Sequence, residues 1–172
     1  MTGKTMRAAK RKKLRMHCVD IMTANPQAVR EDSTIGEAAR QICERNVIAL
    51  PVVDAEGRLA GLFGIYDLLV LLVPRVAVVG SLLPNLRFLT DDESELHDKF
   101  ARLKDSPVRR AINREAVRVY PDTPVIEGVR LFCHSHMTIP VVERGTERLI
   151  GMISYWDAAR HIIGAEPRTP RS

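Results

Sequence analysis

PVVDAEGRLAGLFGIYDLL, from Pro51 to Leu69, returns about ninety residues later as PVVERGTERLIGMISYWDAA, from Pro140 to Ala159. Upstream of each run, the helical pattern Ile35, Ala38, Ala39, Ile42, Cys43 returns with unchanged spacing as Val125, Gly128, Val129, Phe132, Cys133. A duplication in this register predicts two copies of one small unit folded against each other, with the cleft between them as the natural place for a ligand. The chain has 172 residues, 45% of them hydrophobic and 5% aromatic. That is enough for one ordinary core, or for two small half-cores that need each other.

The local periodicities fix the order of elements within each copy. Ala28 to Arg30 and Ala116 to Tyr120 read as short extended segments. Each is followed by helix-start chemistry: Asp32, Ser33 and Thr34 with Glu37 in the first copy, Asp122, Thr123 and Pro124 in the second. After each helix comes a short apolar, β-branched run, Leu50 to Val53 and Ile139 to Val142. A polar turn containing Gly57 or Gly145 then leads to a second run, Leu59 to Phe63 and Leu149 to Ile153. Second helices are expected to begin near Tyr66 and Trp156. The fold class is therefore α/β, two pseudo-symmetric β-α-β-β-α repeats, each a small sheet packed on two helices and too small to stand alone.

This reading divides the chain into a basic tail (1–16), a first repeat (17–73), a connector (74–107), a second repeat (108–164) and a C-terminal tail (165–172). In the connector, Leu96, Phe100 and Leu103 share one helical face, which predicts a short amphipathic helix laid over the module. The greasy stretch from Leu68 to Leu83 is interrupted by Pro74 and Arg75 and is too short to cross a bilayer. It reads as the end of a helix and the start of the connector, partly buried against a partner.

The net charge of +5 sits in the tail. Residues 1–16 carry seven of the 26 Lys and Arg and none of the 21 Asp and Glu, so the rest of the chain is slightly acidic at −2. The tail reads as a solvated, disordered arm, and the folded body does not carry the charge of a nucleic-acid binder. No secretory signal follows the basic start, and three cysteines give no disulfide framework. Cys18, Cys43 and Cys133 read as buried apolar thiols, which suits a cytoplasmic protein. His134 and His136 lack the i, i+4 spacing that brings two imidazoles onto one metal, and no Gly-rich phosphate cradle, nucleophile elbow or paired-carboxylate site is visible. The sequence therefore points away from an enzyme and calls for no obligatory cofactor.

The frame CVDIMT, EDSTIGEAA, LPVVD and GLFGIYD, matched by VRRAIN, PDTPVIEG, IPVVE and GMISYWD, resembles a tandem pair of CBS domains, the regulatory unit called a Bateman module. The resemblance runs from about Cys18 to Ile163. It implies a stand-alone regulatory module that binds an adenosine-containing ligand (AMP, ADP, ATP or S-adenosylmethionine) in the cleft between repeats and signals to a partner protein. In that family the turn G-x-x-[ST]-x-x-D gives a hydroxyl and a carboxylate to ribose and phosphate. The second copy matches through Gly151, Ser154 and Asp157; the first keeps Gly61 and Asp67 but has Gly64 at the hydroxyl position. The resemblance also implies ligand contact at Thr23 and Asn113, the residues after each first strand region, and at Ile139 beside the second PVV.

The residues before each PVV are Ile48, Ala49, Leu50 and Met137, Thr138, Ile139, where nucleotide-binding relatives often place His or Arg, so a triphosphate would be poorly neutralised. One ionised carboxylate accepts hydrogen bonds from both hydroxyls of a ribose diol, which suits Asp157. The same S-x-x-D spacing is that of a capping box, in which Ser154 and Asp157 would only cap their own helix. Tyr66 and Trp156 either stack on a base or pack at an interface between modules. A homodimer is expected, with the helices ending at Leu72 and Ile163 as contacts. The alternative reading is a ligand-independent interaction module whose basic N-terminal arm binds nucleic acid or an anionic membrane surface.

Overall fold

A computed structural model describes residues 16–73, 93–135 and 138–165; the basic tail, most of the greasy stretch and the first part of the connector lie outside the described residues. The elements follow the duplication. Strands β1 (Thr23–Ala24) and β2 (Val29–Arg30) precede helix α1 (Ile35–Arg45), strands β3 (Ala49–Val53) and β4 (Leu59–Gly64) and helix α2 (Ile65–Leu72). Helix α3 (Glu93–Leu103) belongs to the connector. The second copy supplies α4 (Val125–Ser135), β5 (Ile139–Val142), β6 (Leu149–Ile153) and α5 (Tyr155–Ile163). Single turns of 3-10 helix, Cys18–Asp20 and Val108–Arg110, open the two copies.

Local chemistry accounts for the helix limits. Thr34 Oγ1 accepts the Glu37 N–H at 3.1 Å while the Glu37 carboxylate accepts the Thr34 N–H at 3.0 Å, a complete capping box. Asn46 ends α1 in the left-handed conformation at φ 53°, its N–H returning to the last carbonyls of the helix. In the second copy the hydroxyl is used differently: Thr123 Oγ1 accepts the Tyr120 N–H at 3.0 Å, and Pro124 leads directly into α4. Gly57 and Gly145, at φ 79° and 87°, close the two hairpins in a conformation that side chains disfavour.

The two sheets are β2-β3-β4 and β1-β6-β5, so the first strand of the chain pairs with the last. Thr23 and Ala24 run antiparallel to Met152 and Gly151. The exchange is reciprocal, because Asn113, at the matching place in the second copy, bridges Leu62 through hydrogen bonds of 2.7 and 3.1 Å. The opening turns cross over as well. Cys18 N–H donates to Thr123 at 2.8 Å, and Val108 N–H donates to Ser33 at 2.7 Å. Where the hairpins meet, Leu59 N–H donates to Glu147 at 3.0 Å and Leu149 N–H to Gly57 at 3.1 Å. Each half therefore completes its sheet and its core with a segment of the other.

The cores repeat this exchange. Val108 is fully buried among Val29, Ile35, Ala38, Ile42, Val52 and Phe63 of the first half, and Cys18 among Val119, Phe132, Val141 and Ile153 of the second. Leu62, Ala116 and Met152 form a third cluster that joins the two halves. Helix α3 sets the half-buried Phe100 against the first core, as its amphipathic pattern predicts.

The cysteines correct one expectation. Cys18 is buried, and burial, assisted by the nearby Glu127 carboxylate, pushes its thiol up to about 11. Cys43 and Cys133 are exposed. On α1, Ile42 takes the inward position and the next residue, 100° further round the helix, turns outward.

The strand exchange depends on two small residues. A Cβ at Gly61 would lie 2.6 Å from the backbone carbonyl oxygen of Asn113, whereas one at Gly151 would meet only the flexible side chain of Met22. Gly61→Ala is expected to cost about 1–3 kcal/mol through the forced shift of the Leu62–Asn113 bridge, and Gly151→Ala less. Chemical denaturation of both variants checks the order; equal costs would contradict it.

Candidate functional site

The exchange of first strands places a cleft between the end of α1 and the start of β3 on one wall and β6 with α5 on the other. The cavity has a volume of about 860 Å³. Thr23, Ser154 and Asp157, each an expected ligand contact, all line it, and so do Ile48, Thr138 and Trp156. Asn113 and Asp67 are not on its wall; they belong to the matching position on the other side of the pseudo-twofold, where Asn113 pairs with β4. Ile139 is 1% exposed and packs in the core of the second half. Strand alternation turns it inward and leaves its neighbour Thr138 on the cleft.

Ser154 and Asp157 form the capping box that their spacing permits. Asp157 Oδ2 accepts from the Ser154 N–H at 2.8 Å and from the Ser154 hydroxyl at 2.6 Å, and Ser154 Oγ accepts the Asp157 N–H at 3.3 Å. Oδ1 faces the Arg160 guanidinium at 3.6 Å. The cap thus occupies one carboxylate oxygen and leaves the other beside a cation. The first copy has the same arrangement without its hydroxyl: Asp67 Oδ2 accepts the Gly64 N–H at 2.8 Å, with no side chain at the cap. Burial raises the Asp67 carboxyl above its ordinary range, only partly offset by the Gly64 N–H.

Basic side chains reach the cleft although the residues before each PVV supply none. Arg45, Arg160 and the imidazole of His161 line it, reached from the last turns of α1 and α5 rather than from the residues before PVV. Arg160 and His161 were legible in principle, since they follow Asp157 by three and four residues on one helix face. Arg45 was not, because it reaches the cleft through the packing of one repeat on the other. Thr138 Oγ1 is buried without a hydrogen-bond partner among the described residues. Trp156 is 66% exposed and Tyr66, its counterpart, 64%. Among the described residues no cluster of His, Cys, Asp or Glu could hold a metal, and no helix is long and apolar enough to cross a membrane. His136 and the side chain of His134 lie outside the described residues.

Two strand-exchanged α/β units with a ligand-sized cleft between them define a paired-repeat module. The CBS domain family model matches residues 18–74 and 108–164, and the chain belongs to this family. The fold is similar to that of CBSX2, a CBS-pair protein from Arabidopsis thaliana, at a TM-score of 0.69 and 21% identity, covering 87% of this chain and 95% of that one. A structure of CBSX2 in complex with AMP matches at a TM-score of 0.64 and 22% identity, covering 87% and 97%. Among curated proteins, a homoserine O-acetyltransferase from Methanococcoides burtonii is 27% identical over 83% of this chain, and an A-adding tRNA nucleotidyltransferase from Aquifex aeolicus is 27% identical over 86%. The chain spans 23% and 14% of the length of these two enzymes.

The raised Asp67 carboxyl gives a test by pH. A folded-state value above the unfolded one means that the wild type is relieved of a burial cost below the ordinary carboxyl range and bears it once pH has risen through the raised value. Asp67→Asn keeps an acceptor for the Gly64 N–H without the charge. The variant should be at least as stable as wild type at pH 7, with the difference closing as the solution is acidified. Thermal melts at several pH values check this; a variant less stable by the same amount at every pH would contradict it.

Proposed function

We propose that the protein is a regulatory module, without catalysis of its own, that binds an adenosine-containing ligand in the cleft and passes its occupancy to a partner protein. The observation that carries this reading is the convergence of Thr23, Ser154 and Asp157 on one cavity of about 860 Å³ that belongs to both repeats. Asp157 Oδ1, free of the cap, accepts from the ribose diol. Ile48 and Trp156 offer apolar surface to a base, and the unpartnered Thr138 hydroxyl a polar contact. The bound AMP of CBSX2 supports an adenine nucleotide as the ligand. The second copy carries the stronger site, since the first has Gly64 where Ser154 stands.

Titration calorimetry with AMP is expected to show saturable binding that Asp157→Ala weakens by about ten- to a hundredfold, the loss of a charge-assisted hydrogen bond. Asp67→Ala should cost much less. Equal affinity of wild type and Asp157→Ala would contradict the assignment.

The same reading includes a homodimer. Helix α2 and the residue that caps it expose Tyr66, Leu69 and Val73, and α5 exposes Trp156, Ile162 and Ile163, with Tyr66 matching Trp156 and Val73 matching Ile163. Two equivalent apolar ends on one pseudo-symmetric unit suit an isologous contact with a second copy. Sedimentation at micromolar concentration is expected to give a dimer that Ile162→Lys with Ile163→Lys dissociates; a monomeric wild type would contradict this.

A further inference from the structure

On the reading that the cleft takes an adenosine ligand, we infer that Arg45 is the residue that recognises the ligand's phosphate, so that a nucleotide held at both ends ties the two repeats together. Two arginines line the cleft, and their surroundings differ. Arg160 shares its charge with Asp157, on its own helix. Arg45 donates to the side-chain carbonyl of Gln27, a neutral partner that also lines the cleft, and among the described residues no carboxylate pairs with it. The other acid on the wall, Asp20, uses Oδ2 to accept the His17 N–H at 2.8 Å. Arg45 is therefore the cation whose charge remains available.

Its position gives this charge a role. Arg45 and Gln27 stand on the wall built by the first repeat, Ser154 and Asp157 on the wall built by the second. A phosphate dianion accepts two parallel N–H bonds from a guanidinium, while the ribose hydroxyls of the same molecule donate to Asp157 across the cleft. S-Adenosylmethionine carries a sulfonium in place of the phosphate, and its one anion, a carboxylate, stands at the far end of the methionine chain beside an ammonium, so Arg45 favours AMP over it. The sequence before each PVV lacks the expected cation; the end of α1 supplies it.

Calorimetry on the full chain with adenosine, AMP and S-adenosylmethionine, for wild type, Arg45→Gln and Arg45→Lys, tests the inference. Wild type is expected to bind AMP at least about tenfold more tightly than adenosine. Arg45→Gln should bind adenosine as wild type does and lose the advantage of AMP, with Arg45→Lys in between. An unchanged AMP advantage in Arg45→Gln, or an equal loss for adenosine and AMP, overturns the role of Arg45. If adenosine binds and Asp157→Ala weakens it while the phosphate adds nothing, the site stands and the assignment of Arg45 falls. If no adenosine compound binds wild type, both fall.

Discussion

The reciprocal pairing of each repeat's first strand with the other repeat's hairpin is the constraint on which the remaining structure depends. A three-stranded sheet whose strands run from two to six residues buries too little to stand alone, and here neither half is asked to do so. The bridge between Leu62 and Asn113 and the pairing of Thr23 and Ala24 with β6 complete both sheets. Cys18 and Val108 complete both cores. Because these segments cross over, the halves are held at a fixed separation, and the space between them becomes a cleft with one wall from each.

The same geometry leaves a helix cap free to serve as the proposed binding site. Ser154 and Asp157 satisfy backbone and hydroxyl donors at the start of α5, which needs one carboxylate oxygen. The second oxygen faces Arg160 and the cavity. Capping therefore does not exclude the proposed contact, since the cap fixes the Asp157 side chain and uses only Oδ2. In the first copy Gly64 leaves Asp67 with a single N–H donor, and burial raises its carboxyl. The duplication has kept both carboxylates and equipped only one of them fully.

Much of this was legible in the sequence. The repeated PVV runs, the Gly57 and Gly145 turns and the Thr34–Glu37 cap fall where periodicity and cap chemistry put them, because each is decided within a few residues. The strand exchange was not legible: Thr23 and Ala24 form a two-residue strand, too short to show alternation, and its partner lies more than a hundred residues away. The place of Arg45 on the cleft follows from that exchange and was hidden with it. The side chain of Ile139 is in the core for a simpler reason, since a one-residue step along the chain separates it from Thr138, which lines the cleft. Cys43 was misplaced by the same kind of step on a helix.

The most direct test of the account is an NMR titration of the ¹⁵N-labelled chain with AMP. If the cleft belongs to both repeats, amide signals of residues 45–49 on one wall and 154–161 on the other should shift together and saturate with a single dissociation constant. Shifts confined to one repeat, or to residues away from the cleft, would contradict it.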